Sequence, residues 1–458
     1  MITISDKLVT YVLEASFEKL PAHVIEVQKQ SVLDLFSVMM AATSQGKEAE
    51  AFIRYVEENP GEPTATLFGS EHKVSPVKAA LANGALAHVL DYEDSHEIAM
   101  VHPNSASTVA GMALAEKTGG ISGKDFLLAL VLASDICCRL DLGSNEDLLK
   151  YGWNMPPVHG SMGAVFGVGK MLGLDYGQFM DAIALNMSFT SSGQAAHSKE
   201  SSMRTIREGF AAQSALQSVL LAQKGVHARF DEPLEGKLGY YHMYARDNVT
   251  LEKVTDRLGE VYQSEFISFK PWPCCRATHT SVEGVMKLIK EHEIQEHEIE
   301  EIHIAMHEVG RMVMEPAEVK YRPKAPGIAK FSMPFILGTM VHDGELTLAS
   351  FQSECLERPE VLDIADKVTC EILPHLTKEQ NKYTDITIRT SRGTYMTHMD
   401  FPLGCMENPM SEEQRKEKFY QCAAMSVKRY SRERLDRIYE AVMHLEELKD
   451  VRELIALI

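Results

Sequence analysis

The sequence predicts a mainly α protein: a large all-α helical domain into which a smaller α+β domain is inserted. Three observations lead there. Apolar residues recur at helical spacing through about the first 260 positions. Those same stretches are unusually rich in Ala, Gly and Ser. Strand-like alternation is confined to the region after Ser264, and amphipathic helix returns from Ser411. The predicted boundaries are 1–264 with 403–458 for the helical domain, and 265–402 for the inserted one.

The elements follow in order. Val24 to Ala42 puts Ile25, Val32, Leu35, Phe36, Met39 and Met40 near helical spacing. "AALANGALAHVLD", "SASTVAGMALAEKTGG" and "HGSMGAVFGVGKMLGLD" join small residues to the same period. Small side chains let helix backbones approach, so these helices are expected to be buried on most sides. "SGKDFLLALVLASDI" reads as a capped helix with Ser122 at the N-cap. "EIEEIHIAMHEV" and "YTDITIRTSRGTYMTHMDF" alternate and contain β-branched residues, as strands do. Ser391-Arg392-Gly393 is the expected hairpin turn. "SVEGVMKLIKEHEI" and "FSMPFILGTMVHDGELTLASF" are read as helices between the strands, and "SEEQRKEKFYQCAAM" and "RLDRIYEAVMHLEEL" as the closing pair.

The charge balance excludes some functions. With 65 acidic and 46 basic residues among 458, the formal charge is -19, which disfavours nucleic acid as a partner. An anionic substrate would need its own local cations. No apolar run is long enough to span a membrane. Met1 to Lys7 lacks the order of a signal peptide. The eight cysteines include two adjacent pairs, Cys137-Cys138 and Cys274-Cys275, but no C-x-x-C. That spacing fits neither a zinc nor an iron–sulfur site, so a reduced cytoplasmic protein is expected.

Three segments hold candidate chemistry. Asp91-Tyr92-Glu93-Asp94-Ser95-His96, followed by His102-Pro103-Asn104-Ser105, gathers carboxylates and histidines at the end of an apolar helix. This suits general acid–base work; a solvated loop with a helix cap accounts for the same residues. Asp-x-x-Asp can take a divalent ion, but no metal site is expected here. Ser198 to Gly209 contains Arg204 and Arg207 before a small-residue helix, an arrangement suited to a carboxylate. The alternative is a surface arginine pair bridging to Glu200 or Glu208. In the third, "FKPWPCCRATH", Lys270 lies between an aromatic residue and a Pro-x-Pro turn. Burial there would lower its pKa and fit it for moving protons or anchoring a carboxylate. Cys274 and Cys275 are read as packing residues.

Taken together, "AALANGALAHVLDYEDSH", "HPNSAS", "GSMGAVFGVGKMLGLD", "FKPWPCCRATH", "AKFSMPF" and "ENPMSEEQRKEKF" resemble the MmgE/PrpD superfamily. Its members include 2-methylcitrate dehydratase, cis-aconitate decarboxylase and iminodisuccinate epimerase. The stretches recur in family order over nearly the whole chain. The resemblance implies a helical domain with an α+β lid, a homodimer with its active site between the domains, no cofactor, and a small polycarboxylate substrate. It makes Asp91, His102 and Lys270 the catalytic positions. Ser95, Asn154, Arg204, Arg207, Lys330 and Phe335 become the substrate-binding ones.

The departures from the family pattern set further expectations. Asn154 stands where most members have a histidine, Arg204 where Lys is usual, Arg207 where His is usual, and Phe335 where some decarboxylases have tyrosine. Guanidinium stays protonated, so Arg204 and Arg207 would bind charge rather than shuttle protons. His159 lies near Asn154 and could compensate for the missing imidazole. Members share the making or quenching of a carbanion beside a carboxylate, which needs cations around the developing charge. On sequence, a hydro-lyase reaction stands first, followed by epimerisation, decarboxylation and a silent carboxylate binder.

Overall fold

A computed structural model describes residues 2–190, 192–194, 203–228 and 230–458. The fold is mainly α with small sheets. The chain divides into two units, Met1–Ile267 with Glu412–Ile458, and Ser268–Ser411.

The first unit contains α1 (Ile4–Glu14), α2 (Ala22–Gln45), α3 (Lys47–Glu58), α4 (Pro76–His88), α5 (Ser105–Thr118), α6 (Gly123–Gly143), α7 (Met155–Leu172), α8 (Tyr176–Phe189) and α9 (Met203–Gln223). Ser122 caps α6, accepting from the Asp125 amide at 3.1 Å. From Ser31 to Ala42 every residue of α2 is buried. The glycines explain the small-residue bias. A Cβ on Gly163 or Gly167 of α7 would lie 2.4 or 2.5 Å from the Ala133 and Ala129 carbonyls of α6. Between α4 and α9 the contact is glycine on glycine, since a Cβ on Gly84 would lie 2.7 Å from the Gly209 Cα.

Gly209→Ala would place its Cβ 2.2 Å from the Leu81 carbonyl oxygen, an atom the α4 backbone cannot move alone. The variant is expected to lose about 1–3 kcal/mol, read as a lower urea midpoint.

The second unit holds α10 (His279–His292), β1 (Ile299–Met306), α11 (Met333–Asp343), α12 (Pro359–Ala365), β2 (Val368–Ile372), β3 (Thr384–Thr390) and β4 (Gly393–Met399). The sheet order is β2-β1-β3-β4. Strands β1 and β2 are parallel, pairing Ile302 with Val368, and the other pairs are antiparallel. The predicted hairpin joins β3 to β4, with Thr390 opposite Gly393. Ile302, Ile304, Ile386 and Ile388 turn one face into a core shared with Val282 and Val285 of α10 and Ile336 of α11.

Two longer helices near the C-terminal end, α13 (Glu412–Ala424) and α14 (Arg432–Met443), belong to the first unit. The breaks thus fall at 267/268 and 411/412, rather than 264/265 and 402/403. Two local bonds explain the shift. The Gln263 amide donates to Asp135 at 2.7 Å, holding that segment to α6. Asn408 donates to Glu283 of α10 at 2.9 Å, holding the return segment to the second unit. Among the described residues, no helix is long and apolar enough to cross a membrane.

Candidate active site

Helix α4 ends at His88, and the chain reverses at once. Asp91 adopts a left-handed conformation with φ 50°, which Asp tolerates better than most residues. Its amide donates to the His88 carbonyl at 2.9 Å. The turn brings Glu93 back onto His88, whose Nδ1 lies 2.5 Å from Glu93 Oε1. His102, just before α5, joins the same carboxylate oxygen at 3.1 Å. Glu93 is fully buried, so one oxygen serves two imidazoles out of water.

His102 has a fixed orientation. Its Nδ1 lies 2.9 Å from the Asp94 carbonyl oxygen, which can only accept. Nδ1 therefore carries the proton, and in the neutral ring Nε2 holds the lone pair. Nε2 faces Asp91 Oδ1 at 4.0 Å. The other loop histidine, His96, has a structural role, its Nδ1 accepting from the amides of Ile98 and Ala99.

Helix α9 adds charge to this cluster. Arg207 is buried, with Nε 3.5 Å from Glu208 Oε1. Burial lowers its pKa, opposed by the charges of Glu208, Asp91 and Glu93. Glu208 is fully buried, and its Oε2 fills the space that a Cβ on Gly160 would crowd at 3.3 Å. Burial raises its pKa, opposed by His88 and Arg207. Arg204 is exposed on the first turn of the same helix. Ser198 to Ser202, the rest of that predicted segment, lie outside the described residues.

The loop is pinned from behind. Lys418 of α13 donates to Asp34 of α2 at 2.6 Å and to the Tyr92 carbonyl at 2.9 Å, with its ammonium 3.8 Å from the Tyr92 ring centre. Asp94 Oδ2 accepts from Asn104 at 2.7 Å, and Asn104 accepts from Gln28 at 2.9 Å. Burial pushes the Asp94 carboxyl up to about 7, with the charge of Asp34 adding to the effect.

That shift fixes the sign of a pH effect. The folded state binds the Asp94 proton more tightly than the unfolded chain, so this contribution is full below about 4 and is lost as pH rises through about 7. Asp94→Asn is expected to flatten the fall in stability across that window. Urea midpoints of both proteins at pH 4.5 and 7.5 check it; an unchanged slope would refute the assignment.

His88, Asp91, Glu93 and His102 each offer a ligand atom within 4.8 Å of the others. The set does not fit an ion well. Ligands about 2.1 Å from one metal in tetrahedral geometry stand roughly 3.4 Å apart, whereas His88 and Glu93 are at 2.5 Å. That is closer than two ligands of one ion would stand. His102 Nδ1 also faces a carbonyl and needs its hydrogen there.

Asn154 is buried at the start of α7, its amide donating to the Ser192 carbonyl at 2.8 Å. His159 shares its Nδ1 with the Tyr240 hydroxyl at 2.6 Å, while Nε2 faces Asp141 at 3.4 Å. Both nitrogens thus have neighbours within the helical core. Ser95 is buried in the acidic loop.

In the second unit Lys270 is 1% exposed. Lys330 is buried, and its carbonyl accepts from the Cys275 amide at 2.9 Å. Phe335, expected at the substrate, is fully buried among the apolar residues of this unit, its ring centre 6.1 Å from that of Phe351. The reason is its place on the apolar face of α11. Cys274 Sγ is 3.6 Å from His279 Nε2. Arg276 donates to His279 Nδ1 at 3.2 Å, so Nε2 carries a hydrogen and cannot take the thiol's. Burial and the nearby cations push the His279 pKa well down.

Comparison with known families decides the classification. The profile of the MmgE/PrpD N-terminal domain matches residues 6–252, and that of the C-terminal domain matches 272–445. The chain belongs to the MmgE/PrpD family. This MmgE/PrpD protein is 26% identical to a cis-aconitate decarboxylase-like protein, oryM, of Aspergillus oryzae, over 99% of its own length and 97% of the relative. It is 27% identical to a cis-aconitate decarboxylase of Aspergillus terreus, over 96% and 93%. It is 24% identical to the cis-aconitate decarboxylase of Homo sapiens, over 100% and 94%.

In this MmgE/PrpD protein, Asp91, His102 and Arg207 come together as one cluster with His88, Glu93 and Glu208. The last three were not singled out as site residues from sequence. A faint signal existed for one of them: His88 ends a small-residue helix that is uncharged from Ala79 to Ala87, where an ionisable group needs a partner.

Proposed function

We propose that this protein is a lyase that moves a proton at the carbon beside a carboxylate of a small di- or tricarboxylate. The supporting observation is His102, held with its proton on Nδ1 and its Nε2 facing Asp91 at 4.0 Å. Arg207, whose charge acts on Asp91 and Glu93, supplies the cation that a substrate carboxylate requires. Lys270 enters on the family resemblance as a second proton-transfer group. Lys270→Ala is expected to lower turnover by about 10²-fold or more, and full turnover would remove it from the mechanism.

Decarboxylation is the first reading. The relatives matched across nearly their whole length are named for decarboxylating cis-aconitate. Loss of carbon dioxide leaves a carbanion needing one proton at carbon and no acid for a departing hydroxide. Asn154, an amide with no proton to give, is then no handicap. This changes the order drawn from sequence, where dehydration stood first. The Asp91–His102 pair supports dehydration as the second reading, because two titratable groups 4.0 Å apart can serve carbon and oxygen separately.

Proton NMR of the purified protein with cis-aconitate, 2-methylcitrate and succinate-type acids in deuterated water separates the outcomes. Loss of carbon dioxide with one deuterium taken up by the carbon skeleton that remains is the expected result. A new alkene signal without carbon dioxide establishes dehydration, and deuterium wash-in on an intact skeleton establishes epimerisation. Absence of all three refutes the proposal.

A further inference from the structure

The geometry points to Glu93 as the positioning residue of His102, with His88 as the second proton donor that locks Glu93 in place. This rests on the reading that His102 moves the substrate proton. Two rings converge on one carboxylate oxygen, His88 Nδ1 at 2.5 Å and His102 Nδ1 at 3.1 Å, with ring centres 4.8 Å apart. Glu93 is fully buried and His88 nearly so, so neither touches substrate from this position. They act through His102.

The chemistry follows from the positions of the hydrogens. In the decarboxylation read first, the C–C electron pair stays on carbon as carbon dioxide leaves, and the His102 imidazolium, with hydrogens on both nitrogens, gives its Nε2 proton to that carbon. In dehydration, the second reading, neutral Nε2 takes a proton from carbon, the C–H pair stays on carbon, and the ring becomes the imidazolium. In either case the imidazolium charge faces Glu93, while Nδ1–H stays on the Asp94 carbonyl. His88 holds the carboxylate in this rotamer through its 2.5 Å contact, with Ser105 Oγ donating to the same oxygen at 3.5 Å. The ionisable groups around the pair are Asp91 and Asp94 of the loop, Arg207 and Glu208 of α9, and Cys137 of α6 beyond Glu208. Of these carboxylates, Glu93 is the one in contact with the His102 Nδ1 edge.

The test is Glu93→Gln, which keeps shape and removes charge. Turnover is expected to fall about 10²- to 10⁴-fold with KM little changed. The His102 titration, read by nitrogen NMR of histidine-labelled protein and assigned with His102→Asn, is expected to move down by about one to three pH units. The rate profile should follow it. His88→Ala is expected to lower turnover about 10- to 100-fold. His88→Asn, whose amide nitrogen falls near the old Nδ1, should restore most of it. A Glu93→Gln protein with an unmoved His102 titration overturns the inference even if the wild type is active. A wild type inactive on every acid refutes the proposed reaction, while the titration still decides the role of Glu93. Should Glu93→Gln not fold, the wild-type ring decides: a neutral His102 with its hydrogen on Nε2 overturns it.

Discussion

Changing His102 to asparagine is expected to lower turnover by about two to four orders of magnitude. Asparagine places its amide nitrogen near the imidazole Nδ1, so the bond to the Asp94 carbonyl, 2.9 Å in the wild type, survives. What disappears is Nε2, the atom facing Asp91. The variant thus separates chemistry from loop structure: circular dichroism and thermal midpoint should stay close to wild type while kcat falls. KM should change much less, since the substrate carboxylate is assigned to Arg207. Activity within tenfold of wild type would refute His102 as the proton-transfer group.

Lys418→Met is expected to lower stability by about 3–5 kcal/mol, the usual cost of leaving one partner of a buried ion pair alone. Lys418 and Asp34 are both almost fully buried, at 2.6 Å. Removing the ammonium leaves the Asp34 carboxylate in the core and frees the Tyr92 carbonyl. Turnover should fall as well, because Tyr92 lies between Asp91 and Glu93. Pairing it with Asp34→Leu replaces both charges by apolar groups and should recover most of the stability. Urea unfolding of the two singles and the double checks this; a double as unstable as Lys418→Met refutes the ion-pair account.

Where the sequence was legible, the information was local. Helical spacing, the Ser122 cap and the Ser391-Arg392-Gly393 turn each depend on neighbours within a few residues, and each is present. Asp91, His102 and Arg207 were recognised by resemblance, and they share one cluster. The parts not legible depend on contacts distant in sequence. Glu208 reaches His88 only because Gly84 and Gly209 let α4 and α9 touch backbone to backbone. The part played by Glu93 depends on the left-handed turn at Asp91, which no local pattern announces. Strand β2 was missed because Val368–Ile372 is only five residues long, with a single fully buried position.

The first unit is interrupted after Ile267 and resumes only at Glu412. During translation, a ribosome has therefore released His88, Glu93, His102 and Arg207 long before it makes Lys418. Until then the Lys418 contacts to Asp34 and to the Tyr92 carbonyl are missing. A nascent polypeptide holds every reactive side chain of the cluster without the brace that fixes them. The cluster is braced only once α13 has been made, and a premature stop codon upstream of α13 leaves a product that lacks the brace.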